Sequence, residues 1–229
     1  MRTALPLLIA ALLLGCAGLN AQKQATVHYK LGVSRMQARQ YQAAFLEFQK
    51  ALRYDPRNKE VHNALGVVYL QFDDLGKARA SFQKAVEIDG NYSEALNNLC
   101  YVHYRLGQYE QAIGHCKRAL GNPLYPTPEK AFYNLARAYY RLGRYDEALK
   151  AYREALRRMP GMFQALYGLA LTYNAKGLYG AAAQALKEAV ELDPRYRGDM
   201  AAAEEDFSLR RNLPVEEQDM EALLEVFRY

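Results

Sequence analysis

Cys16 has the most clearly defined chemistry of any residue in this 229-residue chain. It follows Leu13-Leu14-Gly15, at the end of a short apolar run that lies behind one positive charge, Arg2. Because this run is far too short to cross a bilayer, it indicates the apolar part of a secretory signal, residues 1–15. Leu-Leu-Gly-Cys is typical of a bacterial lipobox, which predicts diacylglycerol on the Cys16 thiol and acylation of its new amine. An ordinary signal peptide with an incidental cysteine is the alternative.

The two other cysteines, Cys100 and Cys116, are available for a disulfide. Disulfides form in oxidising compartments, where an exported chain would fold. In the repeat pattern described below, the two residues lie on the two helices of one hairpin and face the space between them, so we predict a bond. Two buried free thiols are the alternative. A zinc site that includes His103 is disfavoured, because the spacing matches no common site.

The sequence contains no residue pattern that indicates catalysis. It has no phosphate-binding loop, and its four histidines all have a packing explanation. We therefore predict a protein that is not an enzyme and that takes no metal, small-molecule substrate or cofactor apart from the lipid on Cys16. A thiol enzyme that uses Cys100 and His103 is the alternative, and it requires a reactive, exposed cysteine.

The charge of the chain is mild. Thirty basic and 25 acidic residues give +5, and removal of Arg2 with the signal leaves +4. The charges alternate in sign as on solvated helix faces, and they form no basic stripe for nucleic acid. No second apolar stretch approaches the length of a membrane span, so the lipid is the only predicted membrane anchor. We expect a monomer when no partner is bound.

From Ala25 onward the chain repeats every 34 residues, which is the period of tetratricopeptide repeats (TPRs), each a pair of antiparallel helices. Small residues at repeat positions 8, 20 and 27 let the two helices approach closely. Alanine occupies position 20 throughout, as Ala44, Ala78, Ala112, Ala148 and Ala182. The pattern predicts an all-α fold, a right-handed superhelix of TPR hairpins. The five clear repeats are 25–58, 59–92, 93–126, 129–162 and 163–196.

Three segments depart from the period. Residues 16–24 are predicted to be a tether between the lipid and the first repeat. Residues 121–128 add two residues between the third and fourth repeats and are rich in helix breakers. Residues 197–229 lose the pattern, although 200–210 and 215–227 still read as amphipathic helices. We predict that they form a degenerate sixth repeat that caps the stack.

The inner face of the predicted superhelix carries apolar, aromatic and basic side chains. Repeat positions 2, 5, 9, 12 and 13 of each first helix should point into the concave groove. This groove is predicted to be apolar at its N-terminal end and rich in tyrosine and arginine in the middle. Extended apolar surface marks binding sites, and Tyr and Arg are favoured anchors, so we predict a groove for an amphipathic helix or extended peptide. Packing of several aromatics against neighbouring repeats is the alternative. The predicted groove residues are Tyr29, Val33, Met36, Val67, Leu70, Asn97, Tyr101, Tyr104, Arg105, Tyr133, Arg137 and Tyr140.

A lipobox followed by TPRs, with specific elements around the third and fourth repeats, resembles the PilF/PilW/Tgl pilotins of type IV pilus biogenesis. These elements are Asn97-Asn98-Leu99, Leu124-Tyr125-Pro126 and Phe132-Tyr133-Asn134-Leu135. The resemblance covers nearly the whole chain. The chain departs from the family in its weak sixth repeat and in Cys100, which stands where the family has a small residue, usually glycine.

The resemblance implies an outer-membrane lipoprotein on the periplasmic face, with six TPRs. Such a pilotin binds the secretin subunit of the pilus machine and promotes its outer-membrane localisation and multimerisation, on which twitching or gliding motility depends. Ala17 agrees with this destination, since similar lipoproteins retained in the inner membrane have Asp after the lipidated cysteine. A TPR lipoprotein that scaffolds periplasmic cell-wall enzymes is the alternative.

Overall fold

A computed structural model describes residues 4–210 and 217–229, with side chains for residues 20–210 and 219–229. Within these residues the chain forms twelve α-helices and no β-strand, which confirms the predicted all-α class. Most of the helices form antiparallel pairs. The helices are α1 (Ala4–Gln37), α2 (Tyr41–Tyr54), α3 (Lys59–Gln71), α4 (Leu75–Ile88), α5 (Ser93–Arg105), α6 (Tyr109–Leu120), α7 (Pro128–Arg141), α8 (Tyr145–Arg158), α9 (Phe163–Ala175), α10 (Tyr179–Leu192), α11 (Met200–Arg210) and α12 (Glu217–Val226).

The first helix, α1, is much longer than the others because it continues upstream of the first repeat. It contains the predicted tether, residues 16–24, which is helical. The side chain of Cys16 lies outside the described side chains. Among those described, Ala25 is the first that is buried, and it is also the first residue of the predicted repeats. No helix in the described part of the chain is both long and apolar enough to cross a membrane.

The chain divides into two compact units, and the first, which ends at Ala95, contains α1 to α4. Its two hairpins share one packing device, in which a glycine on the first helix faces a phenylalanine on the second. A Cβ atom on Gly32 would overlap the ring of Phe48, and one on Gly66 would overlap the ring of Phe82. Both rings are fully buried. Glycine at position 8 is therefore needed for close approach, as the repeat pattern predicts.

The second unit runs from Leu96 to Tyr229. Three of its first helices, α5, α7 and α9, are each followed by a glycine in the left-handed region: Gly107, Gly143 and Gly177 have φ values of 72°, 70° and 71°. Glycine adopts this conformation without the steric penalty that a Cβ atom brings, so it reverses the chain cheaply. The insertion between α6 and α7 ends at Pro128, the first residue of α7, where a missing N–H costs nothing.

The C-terminal hairpin departs from the regular stacking. Helix α11 has the bounds predicted from the sequence, whereas Val215, the predicted start of the second helix, lies outside the described residues. Helix α12 packs on α9 and α10, while α11 makes only light contact with α10. The apolar residues of the hairpin are buried, namely Ala203, Phe207, Met220, Leu223 and Val226.

Candidate binding groove

In the first unit, the predicted groove residues are half-buried rather than displayed. Tyr29, Val33 and Met36 pack against the apolar cluster around Phe48, and the Tyr29 and Phe48 ring centroids are 6.1 Å apart. Burial, followed by the charge of Glu60, raises the pKa of Tyr29. Val67 and Leu70 are likewise half-buried. These residues of the predicted groove therefore contribute to the hydrophobic core as well as to the surface, because their side chains pack against buried residues.

In the second unit, an arginine lies between two tyrosine rings. The guanidinium carbon of Arg137 is 4.1 Å from the ring centroid of Tyr104 and 5.4 Å from that of Tyr133. Among the described residues, no carboxylate lies within ion-pair distance of Arg137. Burial acts to lower its pKa, but Tyr133 and Tyr104, together with Tyr152 and Tyr101, outweigh that effect and the pKa is raised. A half-buried cation held by ring faces is well placed to receive an anionic group of a ligand.

Arg141, one helical turn after Arg137, already has such a group. Its Nη2 donates to Oδ2 of Asp219 at 2.7 Å, and its Nε donates to the hydroxyl of Tyr104 at 3.2 Å. Burial opposes the charge, but Asp219 and Tyr104 outweigh it and raise the pKa of Arg141. The same environment raises the pKa of Tyr140 to about 12, chiefly through burial and then through Asp219. The arginines of α7 therefore remain cationic at any physiological pH.

Arg137 and the tyrosines around it line a cleft of about 210 Å³ in the second unit. Five tyrosines are among its lining residues, and the acidic helix α12 contributes Asp219, Met220 and Leu223. The cleft combines aromatic faces, arginine donors and apolar side chains, which suits an amphipathic peptide better than a small polar metabolite. The predicted groove residues on this cleft are Tyr104, Tyr133, Arg137 and Tyr140.

Two predicted groove residues are buried, and for Asn97 this corrects the assignment. Asn97 is 7% exposed, and its Oδ1 accepts a hydrogen bond of 3.0 Å from Nδ2 of Asn134. It is therefore a core polar contact and not a groove contact. Tyr104 is only 9% exposed, because Arg137 and Arg141 of the next hairpin cover its ring and hydroxyl. Its ring reaches the cleft, but mainly as a support for Arg137.

Tyr101 and Arg105 form a smaller pair on α5. Arg105 is exposed, and its Nη1 donates to the hydroxyl of Tyr101 at 3.1 Å. The guanidinium carbon also lies 5.9 Å from the Tyr101 ring centroid. The two residues add a cation and an aromatic face to the surface predicted from positions 9 and 13, although neither is among the residues that line the cleft.

Several residues of the cleft were not predicted from the groove positions. Tyr152 on α8 lies under Gly168, where a Cβ atom would overlap its ring, and its ring centroid is 6.1 Å from that of Tyr133. Burial raises the pKa of Tyr152 well above its usual value. A glycine inside a helix, which costs about 1 kcal/mol relative to alanine, was the available signal for this close approach. Asp219, Met220 and Leu223 were assigned to a cap and not to the cleft.

Cys100 and Cys116 form a disulfide, with Cα atoms 5.3 Å apart. The two residues occupy the repeat positions held by Gly32 and Phe48 in the first hairpin and by Gly66 and Phe82 in the second. In the third hairpin a covalent bond thus replaces the packing of a ring on a glycine. Within the described part of the chain, no group of three or more metal-ligating side chains is found.

A stacked histidine pair lies beside the disulfide. The ring centroids of His103 and His115 are 5.0 Å apart, and Nδ1 of His115 is buried with no hydrogen-bond partner among the described residues. Burial, then the charges of His103 and Arg118, lower the pKa of His115 from 6.5 to about 4. The neutral ring is therefore the form that the fold accepts.

We expect the stability of the chain to fall as the pH is lowered from about 6.5 to about 4. Over this range the unfolded state takes up a proton at His115 that the folded state does not, so protonation favours unfolding. Above pH 6.5 this contribution is constant. The melting temperature, measured at several pH values, should drop less steeply in His115→Gln than in the original chain. Equal slopes in the two proteins would contradict the assignment.

Comparison with known families agrees with this architecture. The tetratricopeptide repeat model matches residues 29–93 and 133–197, more than half of the chain, so the chain belongs to that family. A model for subunit 3 of the anaphase-promoting complex, or cyclosome, matches residues 82–155. The comparison with curated proteins finds no match. TPR proteins are helical scaffolds for protein–protein interaction, and this is the class that the fold and the cleft define.

Solved structures with similar folds include PilW, PilF and MamA. PilW, a widely conserved type IV pilus biogenesis factor, is 24% identical with a TM-score of 0.69, over 87% of this chain and 98% of PilW. PilF of Pseudomonas aeruginosa is 22% identical with a TM-score of 0.66, over 89% of this chain and 99% of PilF. MamA is 27% identical with a TM-score of 0.61, over 72% of this chain and 95% of MamA. At these identities the PilW and PilF likenesses concern the fold alone.

Proposed function

We propose that this chain is a lipid-anchored TPR adaptor of the pilotin type, which binds the type IV pilus secretin and promotes its outer-membrane localisation and multimerisation. The observation that carries the proposal is the cleft of the second unit, where Arg137 lies between two tyrosine rings and has no carboxylate partner among the described residues. The lipobox at Cys16 and the family resemblance support the cellular setting. The shared fold of PilW and PilF is compatible with it.

The cleft suits a partner segment that carries both apolar and acidic side chains. Tyrosine rings and Leu171 supply apolar surface, and Arg137 supplies donors for a carboxylate. Desolvated arginine and tyrosine side chains are frequent hot spots of protein interfaces. The adaptor would act without bond-making chemistry: it holds unassembled secretin subunits at one membrane face and so raises their local concentration. Because several subunits must meet, multimerisation responds steeply to that concentration.

The lipid on Cys16 would supply the membrane residence that this mechanism needs. Each buried methylene contributes about 0.8 kcal/mol, and stable anchoring takes two or more acyl chains. Mass spectrometry of the mature protein tests the modification directly. A Cys16→Ser variant should lose both the lipid mass and the membrane fraction, while its TPR region stays folded.

The partner can be identified by photo-crosslinking in cells from position 164. Gln164 is exposed and lines the cleft, whereas Gln184 is an exposed glutamine on α10 that is not among the cleft residues. A photoreactive residue at 164 should capture the secretin subunit, and the same residue at 184 should not. Capture of a cell-wall enzyme at 164 would favour the alternative scaffold, and capture of nothing at 164 would contradict an adaptor role for the cleft.

The affinity of an Arg137→Glu variant for the secretin subunit tests the same site quantitatively. Reversal of this charge should weaken the complex with the purified secretin subunit by about tenfold or more, since a desolvated hot spot is removed. Arg79→Glu is a control with the same charge change at an exposed site in the first unit. Equal affinity of the two variants, with intact helical content, would show that the cleft is not the binding site.

A further inference from the structure

The last helix, α12, lies where the regular repeat pattern leaves room for a ligand. In the stacked hairpins the first helix of a repeat packs on its own partner helix and also on the second helix of the preceding repeat, as α7 does on α6 and α9 does on α8. The C-terminal hairpin differs: α11 barely touches α10, and α12 packs more on α9 than on α10. Helix α12 is therefore displaced toward the first helices, which carry the predicted groove positions.

The polar contacts of α12 go to groove positions of two repeats. Asp219 accepts from Arg141, which is position 13 of the fourth repeat, at 2.7 Å. Asn174, position 12 of the fifth repeat, donates from Nδ2 to the backbone oxygen of Ala222 at 3.3 Å and to Oε2 of Glu225 at 3.1 Å. The side chains that should grip a foreign peptide thus grip the chain's own C-terminal helix.

The chemistry of α12 is that of an acidic amphipathic helix. Met220, Leu223 and Val226 lie on one face and are buried. Asp219, Glu221 and Glu225 supply carboxylates at the edge or on the solvent side, and α12 itself contains no basic residue. The receiving surface offers arginine and tyrosine from α7 and apolar side chains from α9. The two surfaces are complementary in both charge and hydrophobicity, which is the helix-in-groove mode of recognition.

We infer that α12 is a built-in occupant of the binding groove, and that the ligand class of this groove is an acidic amphipathic helix, which must displace α12 to bind. The inference deepens the proposed function, since it specifies the partner segment for the same site. A segment tied to its site by a short linker has an effective concentration in the millimolar range. The apparent affinity for any competing helix is reduced accordingly. The cleft beside α12, with Arg137 unpaired among the described residues, gives a competing carboxylate a second arginine to contact.

The full-length chain and one synthetic peptide test this inference. The probe is a fluorescent peptide of residues 215–229, and the key variant is Leu223→Asp, which places a charge at a side chain that is 2% exposed and so releases α12. The released groove should bind the peptide at least about tenfold more tightly than the original chain does. Leu209→Asp, at an exposed leucine on α11, is the control and should behave like the original chain.

A charge exchange makes the test specific to the groove. A peptide with Asp219→Arg should not bind the Leu223→Asp chain, and a chain with both Leu223→Asp and Arg141→Asp should bind this peptide but not the original one. Equal peptide affinity for the original chain and a folded Leu223→Asp chain would overturn the inference, as would failure of the charge exchange. If Leu223→Asp lowers the helical content beyond α12, Asp219→Arg in the chain replaces it, with the same outcomes.

The peptide assay contains no secretin, so its result is independent of the partner's identity. If the crosslinking from position 164 captures no secretin while the peptide assay behaves as expected, the proposed function fails and the groove assignment stands. If the secretin is captured but the released groove ignores the peptide, the adaptor role stands and α12 is only a cap.

Discussion

Replacement of both Cys100 and Cys116 by serine should lower the free energy of unfolding by about 3 kcal/mol. The disulfide closes a loop with a sequence separation of 16, and its loss returns that loop's conformational freedom to the unfolded chain. Because both cysteines are buried, two serine hydroxyls would also have to be desolvated, which adds to the loss. Urea denaturation of the original chain with and without reductant, and of the double variant, measures the effect.

The first two hairpins provide a matched control for the disulfide. In Cys100→Gly with Cys116→Phe, the third hairpin acquires the glycine and the ring that pack together in the first two. This variant should recover part of the lost stability, and reductant should no longer affect it. If reductant leaves the stability of the original chain unchanged, the disulfide contributes nothing and the expectation is wrong.

Tyr152→Ala should cost about 3–5 kcal/mol, the range for loss of a large buried aromatic side chain. Tyr152 is 2% exposed, lies under Gly168 and packs near Tyr133. Its removal leaves a cavity beneath the cleft, so the variant should also bind partners less well even where it remains folded. Thermal and denaturant unfolding measure the first effect, and affinity for the secretin subunit measures the second.

Gly168→Ala tests the same contact from the other side. Alone it should destabilise the chain by about 1–3 kcal/mol, because the new Cβ atom overlaps a ring in a packed core. Added to the Tyr152→Ala variant, Gly168→Ala should leave the stability of that variant unchanged or raise it. The new methyl group enters the space that the tyrosine ring vacated, and alanine favours the helix. Additive losses in the double variant would show that the two residues do not interact.

The repeat architecture could be predicted from the sequence because it depends on a short, regular code. Small residues at fixed positions force two helices together, and each hairpin needs its neighbours to bury its apolar face. The C-terminal helices were also predictable as amphipathic segments. Amphipathicity specifies which face of a helix is buried but not the surface that buries it, and the sequence therefore assigned α12 to a cap.

The residues of the groove were predicted less well than the repeats, because side chains of the neighbouring hairpin cover some of them. The assignment of repeat positions to the inner face considers each repeat without its neighbours, so it places Asn97 and Tyr104 on that face. In the structure, Asn134 and the arginines of α7 approach from the next hairpin and cover them. Arg137, in contrast, is only half-buried and lines the cleft.

The disulfide has a mechanical consequence for the third hairpin. When the ends of the chain are pulled apart, tension crosses directly from Cys100 to Cys116, and the residues between them stay outside the path of the force. An extended chain spans at most about 3.3–3.6 Å per residue, so the disulfide shortens the fully extended chain by about 50 Å. If the chain is stretched between a fixed end and a moving cargo, the oxidised form would not extend between Cys100 and Cys116, whereas the reduced form would.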